Sequence, residues 1–121
     1  MPFDSQTLDL LGRTPEVEIE TRSSGGAVHR TIIWIVVDGS DAFVRSYRGP
    51  GARWYREVLA DPNVVIHAAG RTIPARAIPA ADETSIARTS AGLSRKYAGD
   101  PATPAMVADA VVGTTLRLDP G

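Results

Sequence analysis

The sequence predicts a mainly β fold, in which six short antiparallel strands close into a small barrel with helices plugging its ends. Three observations point there. Apolar and acidic residues alternate with period two from Glu16 to Thr21, the mark of a strand with one wet face. Two pairs of strand-like runs are joined by tight turn signals, Asp38-Gly39 and Gly70-Arg71, and hairpins mean antiparallel pairing. Six short strands in an open sheet would leave edges that closure removes. With 121 residues and no linker, internal repeat or low-complexity run, residues 1–121 are expected to form a single domain.

Each element has a local reason. Asp4 or Ser5 can cap a first helix with Leu8 and Leu11 on its apolar side and Gly12 as its stop. Val17, Ile19 and Thr21 form the buried face of the first strand, and Ser23-Ser24-Gly25-Gly26 turns the chain. Val28 to Val37 is β-branched and apolar on both faces beyond Arg30, which predicts a central strand buried on each side. Ala42 to Arg48 follows, with Phe43, Arg45 and Tyr47 on one face and Val44, Ser46 and Arg48 on the other. Gly49-Pro50-Gly51 interrupts it, and a helix from Ala52 sets Trp54, Val58 and Leu59 at helical spacing until Asp61-Pro62. Asn63 to Ala69 and Thr72 to Ile78 are the second hairpin, with Pro74 expected at an edge or bulge. Asp82 caps a long helix to Tyr97, with Gly99 as its stop. A last short helix spans Ala105 to Val112, and Thr114 to Leu118 closes the fold.

Composition excludes several function classes. Thirteen basic side chains face fourteen acidic ones, so the chain lacks the basic footprint of a general nucleic-acid binder. No apolar run approaches the roughly 18 residues of a membrane span. The absence of cysteine removes disulfides, thiolate metal sites and thiol nucleophiles. The first residues, MPFDSQTLDLLGR, do not read as a signal peptide, and a cytoplasmic location is expected. His29 and His67 lack partners at metal-ligand spacing and read as strand residues, and Glu18 and Glu20 read as a solvated edge. No Walker loop, G-x-G-x-x-G or G-x-S-x-G occurs.

One segment departs from the neutral average. Twelve of the thirteen basic residues are arginine, and Arg45, Arg48, Arg53 and Arg56 fall within AFVRSYRGPGARWYR, which holds no acid. A glycine loop exposing backbone N–H groups, a helix start and four guanidiniums are three anion-binding devices in one place. Phosphate is the natural guest, and Trp34, Trp54 and Tyr55 add flat surface for an attached ring. The competing reading places Trp54 in the core and lets the arginines snorkel over the sheet.

The strand AFVRSYRG, the helix RWY, the strand pair ending HAAGRT and the closing RKYAG resemble a small family of uncharacterised bacterial proteins in the FMN-binding split-barrel superfamily, over almost the whole chain. More distantly, T-x-x-S-G, R-T-x-x-W, D-G, W-Y and D-P-N-V resemble the deazaflavin-dependent nitroreductase-like branch; pyridoxamine phosphate oxidase is a better-known relative of both. The resemblance implies a six-stranded antiparallel Greek-key split β-barrel that forms a homodimer and binds FMN or a deazaflavin in the dimer groove. It implies Ser46, Arg48 and Arg53 for the phosphate, with Arg45 as a further candidate although alternation puts it on the opposite face, and Thr31, Ile32, Ile33 and Trp34 along the ring. Arg30 corresponds to the basic residue before that strand in the deazaflavin branch. Two features depart from that branch: Ile32-Ile33 replaces the proline before the aromatic, and its basic hairpin survives only as Arg22-Ser23-Ser24-Gly25.

The function so implied is a cofactor-dependent oxidoreductase acting on a small organic molecule, with Tyr47, Tyr55 or His29 as unselected proton donors. The alternatives are a non-catalytic carrier of the cofactor or another phosphorylated ligand, and a haem binder with a histidine as axial ligand.

Overall fold

A computed structural model describes residues 2–121 and shows one seven-stranded antiparallel sheet rolled into a split barrel. In chain order the elements are α1 (Ser5–Arg13), β1 (Val17–Arg22), β2 (Val28–Ile33), β3 (Ile35–Asp38), β4 (Asp41–Val44), α2 (Arg53–Ala60), β5 (Asn63–Ala68), β6 (Arg71–Pro79), α3 (Glu83–Lys96), α4 (Thr103–Met106), α5 (Asp109–Val112) and β7 (Leu116–Pro120). The sheet order is β2-β1-β5-β6-β7-β4-β3.

The count of seven instead of six comes from one break. The run from Val28 to Val37 is not a central strand: it divides at Trp34 into β2 and β3, which lie at the two ends of the sheet. Its outer side chains are open, with Val28 50% and Ile32 63% exposed. An apolar run signals apolar surroundings but does not say whether the strand sits in mid-sheet or bounds a groove.

Packing follows the alternation along each strand. Val17, Ile19, Ile33, Ile35, Val44, Ile66 and Leu116 fill the barrel, closed by Leu10 and Leu11 of α1 and by Trp54, Tyr55 and Val58 of α2. Each fully buried apolar side chain contributes roughly 1.5–3 kcal/mol. Tyr55 is therefore core, and Leu59, expected inside, is exposed. A smaller cluster of Val36, Phe43, Leu93, Tyr97 and Met106 seats α3 and α4 against the outer face of β3 and β4. Gly92 permits that approach, since a Cβ there would stand 3.2 Å from Val36 Cβ.

The termini of the elements reflect capping. Asp4 accepts from Thr7 N at 2.7 Å and Asp82 from Ser85 N at 3.0 Å, as N-caps should. Gly12 does not stop α1; it lies inside the helix, which runs to Arg13 before Pro15. The second hairpin turns on Ala69-Gly70, both at positive φ, one residue earlier than expected. Pro74 lies where β7 has ended: its carbonyl accepts from Gly121 N, so its ring nitrogen faces the same side, past the last residue of β7.

Two further elements differ from expectation. The helix expected over Ala105 to Val112 is two short helices, because Ala108 is extended and the Met106 carbonyl accepts from Arg45 instead of from a residue one turn on. The closing strand starts at Leu116, because Thr114 and Thr115 turn their hydroxyls onto Val111 O and Val112 O.

Candidate functional site

The break at Trp34, the end of β4 and the start of α2 surround a groove of about 890 Å³, within the usual size for small-molecule sites. Thr31, Ile32, Ile33 and Trp34 of the strand side line it together with Arg48, Arg53 and Arg56, and with Gly51 and Tyr47 of the intervening loop. A Cβ at Gly51 would meet nothing within 4 Å, so the loop backbone is open there.

The arginines of this segment have separate fates. Arg45 is 1% exposed and held by neutral acceptors: Nε donates to Thr115 Oγ1 at 2.9 Å, Nη1 to Ser90 Oγ and Met106 O at 3.0 Å, and Nη2 to Ile86 O at 3.2 Å. With no acid beside it, burial pulls its pKa down to about 10. It contributes to the groove wall, but its donors are committed to α3, α4 and the loop before β7. Arg48 and Arg56 are exposed and have no acidic partner among the described residues. Arg53 lies 3.8 Å from Glu57 one turn along α2.

Seven of the nine anticipated residues line the groove: Thr31, Ile32, Ile33, Trp34, Arg45, Arg48 and Arg53. Ser46 does not. Its side chain is fully buried, its hydroxyl donates to Gly49 O at 2.7 Å and its amide donates to Thr114 Oγ1, so it shapes the turn that presents Arg48. Arg30 also lies outside, on the opposite face of β2 from Thr31 and Ile33, where it approaches Glu18, Glu20 and His67. Ile32 shares that face of β2 and still reaches the groove, so it is the partners of Arg30 on β1 and β5, not alternation, that set it apart.

Neither histidine lines the groove. His29 Nδ1 lies 3.0 Å from Glu57, whose other oxygen accepts from Thr21 Oγ1 at 2.7 Å. His67 Nε2 lies 2.9 Å from Glu20, and that contact holds the Glu20 carboxyl below its ordinary range. No group of three metal-ligating side chains occurs among the described residues, and no helix there is long and apolar enough to cross a membrane.

The groove also takes Trp54 and Arg56, offered by the sequence as ring surface and as part of the cationic cluster, and Tyr47, offered as a proton donor; reasoning on the sequence missed Glu16, Ala102 and Met106. Arg56 had a further signal, since it follows Arg53 by three positions in a helix and shares its face. Glu16, Ala102 and Met106 had none, as each arrives from a distant element.

Residues 7–118 match the family described as uncharacterized protein conserved in bacteria (DUF2255). The chain belongs to this family. Its fold is shared by HutZ, the haem storage protein of Vibrio cholerae, with TM-score 0.73 and 16% identity over 100% of this chain and 92% of HutZ. An F420 reductase superposes with TM-score 0.65 and 19% identity, over 100% of this chain and 96% of that one. A Listeria innocua protein, provisionally a pyridoxamine 5'-phosphate oxidase, gives TM-score 0.68 and 16% identity over 95% and 90% of the two chains. At these identities the likeness establishes the fold alone of this DUF2255 member, a split barrel shared with these proteins. No curated protein matches it in sequence.

Proposed function

We propose that the groove binds a flavin-type cofactor, FMN or a deazaflavin, and that the protein is an oxidoreductase for a small organic molecule. The observation that carries this reading is the mixed lining: exposed guanidiniums of Arg48, Arg53 and Arg56 together with the apolar and aromatic strand from Ile32 to Trp34. The donor set fits such a molecule. Arg48 and Arg56, without an acidic partner among the described residues, are cations for a phosphate, and Gly51 leaves room for it to approach the loop. Thr31 to Trp34 offer a flat wall for a ring. The bound ring would supply the hydride or electron chemistry, leaving the protein to bind, orient and exclude water. Tyr47, 57% exposed on the groove, is the phenol placed to hold a proton there, since Tyr55 is core and His29 faces Glu57.

The exposed Val28, Ile32, Tyr47 and Leu59 support a homodimer that covers apolar surface beside the groove. A second reading, a non-catalytic carrier, is favoured by the absence of any histidine or paired carboxylate from the groove lining. The haem reading draws support from the likeness to HutZ but has no histidine in the groove to act as axial ligand.

The absorption spectrum of purified protein, before and after adding FMN or a deazaflavin, tests the proposal. A perturbed cofactor band that saturates with added protein is the expected result. No perturbation with either compound would remove the reading. Saturable binding without turnover of any donor and acceptor pair would favour the carrier.

A further inference from the structure

The chain holds a single lysine, Lys96, next to Tyr97 at the end of α3, and both act on the break in the strand that walls the groove. The first residue of β3, Ile35, pairs with Val44 on one side and has no strand on the other. Its backbone is satisfied there by two side chains. Ile35 N donates to the Tyr97 hydroxyl at 3.3 Å, and Lys96 Nζ donates to Ile35 O at 2.7 Å. The same groups reach the opposite side of the gap: Lys96 Nζ donates to Leu11 O at 3.1 Å, and the Tyr97 hydroxyl to Pro15 O at 2.6 Å. The Tyr97 ring stacks on Trp34, with centroids 3.9 Å apart and planes 3° from parallel. The compact ammonium, on an unbranched stem, holds both carbonyls from a single atom.

We propose that Lys96 and Tyr97 are positioning residues for the ring end of the groove. They fix the backbone at Ile35 and the plane of Trp34, and so determine which flat ligand the wall accepts, without touching the phosphate end. The inference rests on the groove being the cofactor site, so its test separates the two claims. FMN and ribose 5-phosphate, which has a phosphate but no ring system, are titrated against wild type, Tyr97→Phe, Tyr97→Leu and Lys96→Met, each first checked for folding by circular dichroism.

Tyr97→Leu should weaken FMN binding about tenfold while leaving ribose 5-phosphate unchanged. Tyr97→Phe, which keeps the stack, should restore most of the loss. FMN affinity within twofold of wild type in folded Tyr97→Leu overturns the proposal, as does an equal loss for both ligands. Wild type that binds no FMN counts against the cofactor reading instead. The clamp is then read from acrylamide quenching of Trp34 fluorescence in a Trp54→Phe background, expected to rise severalfold in Tyr97→Leu; unchanged quenching overturns it.

Discussion

Arg45 and Arg48 stand three residues apart, yet one is enclosed and one is open. Arg45 is 1% exposed and makes four hydrogen bonds to groups on α3, α4 and Thr115, whereas Arg48 faces the groove without an acidic partner. The first guanidinium is part of the scaffold; the second is available to a ligand. An arginine cluster is thus not one functional unit. A buried cation whose donors are mostly taken by the scaffold serves the fold first, and an exposed one adds little to stability until an anion arrives.

Substituting the buried member should have the largest effect. Arg45→Ala leaves a cavity and strands the hydroxyls and carbonyls it served, and is expected to lower unfolding free energy by about 3 kcal/mol in urea titration. A loss below about 1 kcal/mol would erase the distinction between the two arginines. Arg48→Ala should leave stability within about 0.5 kcal/mol. It should weaken phosphate-ligand binding by about 1.5–3 kcal/mol, measured by titration with FMN. Unchanged affinity would move the anion site elsewhere.

A third experiment tests a second buried cation. Burial pulls Lys96 from 10.5 down to about 8, so the folded chain releases that proton earlier than the unfolded chain. Above about pH 8 the unfolded state binds more protons, and stability therefore rises with pH. Tyr97, which burial pushes up to about 12 from 10.0, opposes this once the unfolded phenol ionises. The gain is confined to the interval between the two, about pH 8 to 10. The difference in urea midpoint between wild type and Lys96→Met should widen in favour of wild type across that interval; a constant difference would show Lys96 to be solvated. The smallest effect is expected from Glu57→Gln. Removing the carboxylate 3.8 Å from Arg53 should tighten anion binding by about 0.5 kcal/mol at low salt. Weaker binding would show that Glu57 positions Arg53 for the ligand rather than competing for it.

Much of this was legible in the sequence. The Glu16 to Thr21 alternation, the first hairpin, the Asp4 and Asp82 caps and the arginine-bearing loop appear where local pattern placed them, and the second hairpin turns one residue early. Those signals are carried by neighbours within a few residues, and local sterics and hydrogen bonding suffice to express them. The failures share a different cause. The break at Trp34 depends on Tyr97 and Lys96, more than sixty residues away. Splitting of the last helix depends on Arg45, which takes the Met106 carbonyl. Ser46 left the predicted site because Gly49 and Thr114 satisfy it from within.

By itself, then, the sequence determined most of the strands, their hairpin pairing, the cationic loop and a small antiparallel barrel, since periodicity and turn chemistry are short-range properties. Only the tertiary structure decided that Val28 to Val37 spans both ends of the sheet and that Arg45 belongs to the scaffold. It also decided that Arg30 faces away from the groove. The physical reason is that burial and hydrogen-bond partnership are set by groups distant along the chain. Ile86, Ser90, Met106 and Thr115 enclose Arg45, and no local pattern around Arg45 announces them.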